Sequence, residues 1–166
     1  MRILGIDPGL LNTGYAVIEG DGAPDSVRLV EAGVVRTEQD APMASRLAEI
    51  ARQISEIISQ LNPEAVAIEE LYSHYQHPRT AIIMGHARGI VLLKAAEAGL
   101  AIYPYASTRI KKSLTGNGRA TKAQMQAMIR STFALSAVPE PPDVADALAV
   151  ALCHCRSLTQ TEALSS

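Results

Sequence analysis

Apolar positions along the chain change period several times, and each change marks an element. Ile3, Leu4 and Ile6 form a nearly unbroken apolar run that ends on Asp7, the pattern of a short strand buried on both faces. Pro8 and Gly9 stop it, and residues 13–18, rich in β-branched and aromatic side chains, predict the return strand of an antiparallel hairpin. Turn residues Asp21-Gly22 and Pro24-Asp25 follow, and residues 27–37 predict a third strand, completing a meander. The period then becomes helical: Leu47, Ile50, Ala51, Ile54, Ile57, Ile58 and Leu61 recur on one face behind Pro42, and Asn62-Pro63 ends the run. Residues 64–70 predict a fourth strand that again terminates in acids, Glu69 and Glu70. A helix between the third and fourth strands is what parallel placement beside the first requires.

Beyond Glu70 the pattern is less regular. Residues 71–78 have a loop composition with two tyrosines, Tyr72 and Tyr75, and two histidines, His74 and His77. Residues 79–98 predict a helix that is apolar nearly all round, with Ala81, Gly85 and Gly89 four apart. One sheet cannot cover such a helix, so its outer face needs either a partner subunit or a second layer within its own subunit. Residues 101–104 predict a fifth strand, and residues 107–122 a basic helix, a glycine turn at Gly116 and Gly118, and a further helix capped by Thr121. Prolines at 139, 141 and 142 introduce a last helix carrying Asp143 and Asp146, three apart and so on one face. Residues 1–158 are expected to make one domain, with 159–166 a flexible tail.

Strand alternation sharpens this outline. Ile3, Gly5 and Asp7 share one face of the first strand, and Ala65, Ala67 and Glu69 share one face of the fourth. If these strands are neighbours, Gly5 and Ala67 leave room beneath Asp7 and Glu69 for another element to come close. Ala145, Ala147 and Ala149 make the last helix slim enough to be that element. Each acid also has a plainer reading: Asp7 as a turn acceptor, Asp143 as a helix N-cap, and Asp146 as a first-turn charge favoured by the helix dipole.

Charge distribution adds what the net value hides. The 166 residues carry a formal charge of −2 and are 48% hydrophobic, enough for one sizeable core. Between Arg79 and Arg130, however, nine basic residues face one acid, and the rest of the chain holds six basic residues against sixteen acids. A basic surface for a polyanion beside an acidic cation site is the arrangement this suggests. Arg79, Lys111, Lys112, Arg119 and Lys122 are the candidate phosphate contacts, with Tyr72 and Tyr75 placed to stack on bases. Cys153 and Cys155 flank His154 but point to different sides of a helix, so free thiols are expected rather than a zinc site. No apolar run reaches the length of a membrane span, and a cytoplasmic location is expected.

Four carboxylates drawn from two strand ends and one helix form an oxygen-rich site suited to a hard divalent cation. Two such ions about 3.5–4 Å apart can activate water and stabilise a leaving 3′-oxygen in phosphodiester hydrolysis. Gly5-Ile-Asp7-Pro-Gly9 with Thr13-Gly-Tyr15, Ala67-Ile-Glu69, Gly85-His-Ala-Arg-Gly89, Lys111 with Lys122 across the glycine turn, and Asp143-Val-Ala-Asp146-Ala-Leu together resemble the RuvC family of bacterial Holliday-junction resolvases. The resemblance spans nearly the whole chain. It implies an α/β, ribonuclease-H-like fold: a five-stranded mixed sheet, antiparallel meander plus parallel strands, flanked by helices. It also implies a homodimer, here through the 79–98 helix, two Mg²⁺ ions per site with Mn²⁺ as a substitute, paired symmetric nicks across a four-way junction leaving 5′-phosphate and 3′-hydroxyl ends, and cooperation with RuvA and RuvB. Asp7, Glu69, Asp143 and Asp146 would take the metal-binding catalytic roles, Lys111 and Lys122 would contact DNA, and Tyr72 stands where relatives often have a stacking phenylalanine. Histidine replaces Asp143 in some relatives, which leaves the weight of the two late acids open. Three alternatives remain: a ribonuclease-H-like nuclease for another nucleic acid, a fragment of an actin-like ATPase, and a catalytically silent junction-binding module.

Overall fold

The computed structural model describes residues 1–23, 26–71 and 78–163. Five strands, β1 (Arg2–Asp7), β2 (Asn12–Glu19), β3 (Arg28–Arg36), β4 (Ala65–Glu69) and β5 (Ala101–Tyr105), form one sheet in the order β3-β2-β1-β4-β5. β1, β2 and β3 pair antiparallel, whereas β4 lies parallel to β1 and β5 parallel to β4. The two parallel additions follow from helical crossovers: α1 (Met43–Leu61) precedes β4, and α2 (Pro78–Glu97) precedes β5. α3 (Ser107–Thr115), α4 (Lys122–Thr132) and α5 (Pro142–Ala163) complete the chain.

The sheet separates two cores of different make. On one side Leu4, Ile6, Val17, Val66 and Ile68 meet Ile50, Ile54 and Ile57 of α1 and Ala87, Val91 and Ala95 of α2. On the other, Ile3, Ala16, Ile18 and Ala67 meet the nearly continuous apolar run of α5, from Val144 through Leu148 to Cys155. Gly5 pairs with Ala67 across the parallel register, as the alternation predicts. A Cβ on Gly5 would lie 2.2 Å from the Ala147 carbonyl oxygen and 2.7 Å from the Ala151 Cβ. α5 therefore rests directly on the centre of the sheet, and only a residue without a side chain fits beneath it.

Element ends obey local chemistry. Asn62, in the left-handed region at φ 47°, closes α1, and Gly116 at φ 76° closes α3. Thr121 caps α4 in a reciprocal box with Gln124. α5 begins at Pro142, where the missing N–H is no loss, so Asp143 lies inside the first turn rather than at the N-cap. The helix also runs on to Ala163, into the stretch expected as a tail, with Leu158 packed against the α5 core.

Candidate metal centre

Asp7 and Glu69 end neighbouring parallel strands, one step beyond the Ile6–Ile68 pair. The hairpin that holds Asp7 is fixed by polar contacts. Thr13, fully buried, donates its hydroxyl to the Gly9 carbonyl at 2.6 Å, and Thr37 donates to the Leu10 carbonyl at 2.6 Å. Arg46 on α1 in turn donates to the Thr37 hydroxyl at 3.0 Å. On the β4 side, Arg88 of α2 donates to the Glu69 carbonyl oxygen at 3.3 Å, tying the strand end to the helix behind it.

α5 brings the other two acids. Gly14 is the register partner of Asp7 on β2, and a Cβ there would fall 2.0 Å from the Asp143 carbonyl oxygen. The first turn of α5 thus presses onto β2 beside Asp7, and Asp146 faces the same cleft one turn later. A cavity of about 210 Å³ opens here, with Glu69, Asp146, Ser107, Lys111 and Lys122 in its walls. Clefts of about 650 and 670 Å³ elsewhere are larger, but none of the four acids lines them.

The electrostatics are those of negative charge held together out of water. Burial, reinforced by Asp146, Glu69 and Asp143, pushes the Asp7 carboxyl up to about 7, and Lys122 pulls only weakly against this. Glu69 is raised chiefly by burial; a hydrogen bond from Ser107 opposes the rise, Asp146 adds to it, and Lys111 also opposes it. Asp146 is likewise raised by burial, with Lys122 the main opposing charge. Lys122 Nζ stands 3.4 Å from Asp146 Oδ2.

Oxygen donors from four carboxylates suit a hard divalent cation, and their mutual repulsion is what such a charge would relieve. Among the described residues, no three Asp, Glu, His or Cys side chains close tightly enough on one point to ligate an ion as they stand. Mg²⁺ does not require that, since it keeps several waters and takes the rest of its shell from one or two carboxylates and substrate phosphates.

The expected phosphate contacts divide. Lys111 and Lys122 flank the acids, whereas Lys112 turns to the opposite side of α3. Arg119 is exposed in the turn before α4, and Arg79 is exposed in the first turn of α2. Tyr72, Tyr75, His74 and His77 lie outside the described residues. The roles of three contributors, Ser107, Arg88 and Thr13, escape a sequence reading. Thr13 and Arg88 stand within motifs of the family resemblance, and the signal of Ser107 is its place one helical turn before Lys111.

A mixed sheet in this order, with carboxylates at the ends of its central parallel pair and a helix delivering more, defines a ribonuclease-H-like nuclease domain. The yeast mitochondrial Holliday junction resolvase Ydc2 shares the fold, with a TM-score of 0.72 at 15% identity over 98% of this chain and 80% of that one. A "T. thermophilus RuvC in complex with Holliday junction substrate" matches with a TM-score of 0.91 at 36% identity, over 97% of this chain and 96% of that one. RuvC of Rhodopirellula baltica is 50% identical over 151 residues, covering 91% of this chain and 84% of that protein. Residues 3–154 match the family described as crossover junction endodeoxyribonuclease RuvC. The chain belongs to the RuvC family, and its activity is that of a Holliday-junction-resolving endonuclease, a hydrolase acting on DNA. Nucleases of this family are metal-dependent. Among the described residues, no helix is long and apolar enough to cross a membrane.

Proposed function

We propose that this chain cuts opposed strands of a four-way DNA junction at a Mg²⁺ site held by Asp7, Glu69, Asp143 and Asp146, with Mn²⁺ able to substitute. The observation that carries this reading is geometric: Asp7 and Glu69 end neighbouring parallel strands, and α5 packs onto Gly14 and Gly5 so that Asp143 and Asp146 come to the same place, where burial and the other three acids push the Asp7 carboxyl up. A structural cluster would not hold like charges together without a cation to repay the cost. Bound divalent ions would supply Lewis acidity for activating water and for stabilising the leaving 3′-oxygen.

The chain's own groups do the positioning. Asp7 is held by the Thr13-braced hairpin and Glu69 by the Arg88 contact and the Ser107 hydroxyl. Lys122, paired with Asp146, and Lys111 on the facing wall are placed to balance charge on the phosphate to be cut. The cut bond leaves a 5′-phosphate and a 3′-hydroxyl. Tyr72 and Tyr75 stack on unpaired bases, and Arg79, Lys112 and Arg119 hold backbone phosphates.

One chain has one set of acids, so symmetric paired nicks need a second copy. α2 supports a homodimer through its outer face, where Ile82 is 61%, Leu93 51% and Ile83 37% exposed. RuvA and RuvB are the assembly partners, and the cytoplasm is the compartment.

Incubating the protein with a synthetic mobile four-way junction and Mg²⁺, then repeating with Asp7→Asn and with chelator, tests the reading. Paired nicks are expected from the unaltered protein only, and the Asn variant should bind the junction without cutting it. Abundant nicking by Asp7→Asn, or indifference to chelator, would overturn the assignment.

A further inference from the structure

α3 is basic on two sides, and its second side faces away from the acids. Ile110 and Leu114 bury one stripe of the helix, and Ser107 and Lys111 line the cleft that holds Glu69 and Asp146. Arg109, Lys112 and Ser113 line a different cleft of about 430 Å³, closed from the other side by Cys153, Arg156 and Ser157 of α5. Arg109 and Lys112, neither of which forms an ion pair among the described residues, therefore share one cavity with the anchored Arg156, and the cavity lining contains no carboxylate. Like charges gathered this way repel one another unless an anion sits among them.

The cluster is also held in shape. The Arg109 guanidinium lies over the Tyr105 ring, 4.9 Å from its centroid. That ring is fixed in turn, its hydroxyl 2.7 Å from His154 Nδ1 and 3.1 Å from the Ser157 hydroxyl. His154 is buried and stacks on Tyr103 at 4.1 Å between centroids. From α5, Arg156 donates to the Ser113 and Leu114 carbonyls at 2.7 and 3.4 Å, which locks its charge against the C-terminal end of α3. A guanidinium pinned on an aromatic ring and another pinned at a helix end make a fork with little rotamer freedom left to lose on binding.

We propose that this cleft is a second phosphate seat, formed by Arg109, Lys112 and Arg156, for a DNA backbone phosphate other than the one being cut. Its distance from the acids excludes the scissile group. Cys153 and Arg156 lie two to three turns beyond Asp146 on the same continuous helix, roughly 10–15 Å along its axis. A strand whose cleavable phosphate meets Asp7 and Asp146 then continues over α3, the ridge between the two clefts, and sets a more distant phosphate into the second one. This rests on the junction-nuclease reading and adds to it a contact that fixes strand direction across α3.

A methylphosphonate scan tests it. A labelled four-way junction carries one neutral linkage at successive positions from the cut site, and binding is followed by anisotropy in chelator. At one linkage away from the cut, binding by the unaltered protein should weaken about tenfold, while Arg109→Gln/Lys112→Gln, already about tenfold weaker on the native junction, should lose no more. The double variant should also flatten the slope of log affinity against log salt by about one to two, and Lys112→Gln, at an exposed helical position, by about one. Arg28→Gln/Arg52→Gln removes the same charge elsewhere and should leave binding within about twofold.

Normal binding and nicking by the unaltered protein, with equal linkage sensitivity in the double variant, would overturn the seat alone. Failure of the unaltered protein to bind the junction would sink the nuclease reading and the seat with it. Inorganic phosphate that raises the melting temperature of the unaltered protein but not of the double variant, with junction binding equal in both, would assign the cleft to a free anion and overturn the DNA contact.

Discussion

The two faces of the sheet are built from opposite materials. Toward α1 and α2 the strands present Leu4, Ile6, Val17, Val66 and Ile68, large branched side chains that keep the helices at ordinary packing distance. Toward α5, beyond Ile3 and Ile18, they present Gly5, Gly14, Ala16 and Ala67, and the helix comes down onto the backbone. Burial stabilises the fold on both faces, with Ile3 and Ile18 packed against α5 on the second. The second gives up side-chain volume to bring Asp143 and Asp146 beside Asp7 and Glu69, and the acids gathered there oppose folding unless a cation joins them. Both sides of the sheet thus contribute burial, and the chemistry is confined to the side that gives up volume beside the acids.

Substitutions at matched depth should separate the two. Gly5→Val has the largest expected effect: its side chain would collide with the Ala147 carbonyl and the Ala151 methyl. A loss of more than about 4 kcal/mol, seen as collapse of the cooperative thermal transition, is predicted. Ile54→Ala on the opposite face leaves a cavity and should cost about 2–5 kcal/mol in denaturant melts. Cleavage per folded molecule should survive it. Equal tolerance of both changes would break the contrast.

Asp7→Asn should move stability the other way. Asp7 in the folded protein holds its proton up to about 7, against 3.8 for an unperturbed group. Between those values the folded state binds the extra proton, so this group's contribution is complete below about pH 4 and disappears as the pH rises to 7. Metal-free protein at pH 8 should therefore gain on the order of 2 kcal/mol from Asp7→Asn, a rise in melting temperature of about 4–8 °C, and excess Mg²⁺ should shrink the difference. Ser107→Ala carries the smallest expected effect. Losing the hydroxyl that opposes the rise of Glu69 should weaken apparent Mg²⁺ affinity about fivefold at neutral pH, read from the metal dependence of nicking.

The face assignment was legible because strand alternation is a local rule. Gly5 with Asp7 and Ala67 with Glu69 could be paired from parity alone, and the alanines of α5 named the element that would cover them. The prolines placed Asp143 in the first turn of the last helix, and because Pro142 itself begins that helix the plainer N-cap reading of Asp143 does not hold. Less legible was anything set by how two helices meet. The summed charge from Arg79 to Arg130 could be counted, but its division by α3 into a side facing the acids and a side facing Arg156 depends on the docking of α3 against α5. Arg88 is hidden for the same reason, since an arginine in an apolar helix acquires a purpose only once Glu69 lies beside it, and Ser107, the first residue of α3, offers only its place one turn before Lys111.

Carboxyl-carbon NMR of Asp7, titrated with and without Mg²⁺, tests most directly whether these acids form a cation site. A midpoint near 7 in metal-free protein, falling below about 5 in excess Mg²⁺, is the predicted result. A midpoint close to 4 that ignores the metal would contradict it.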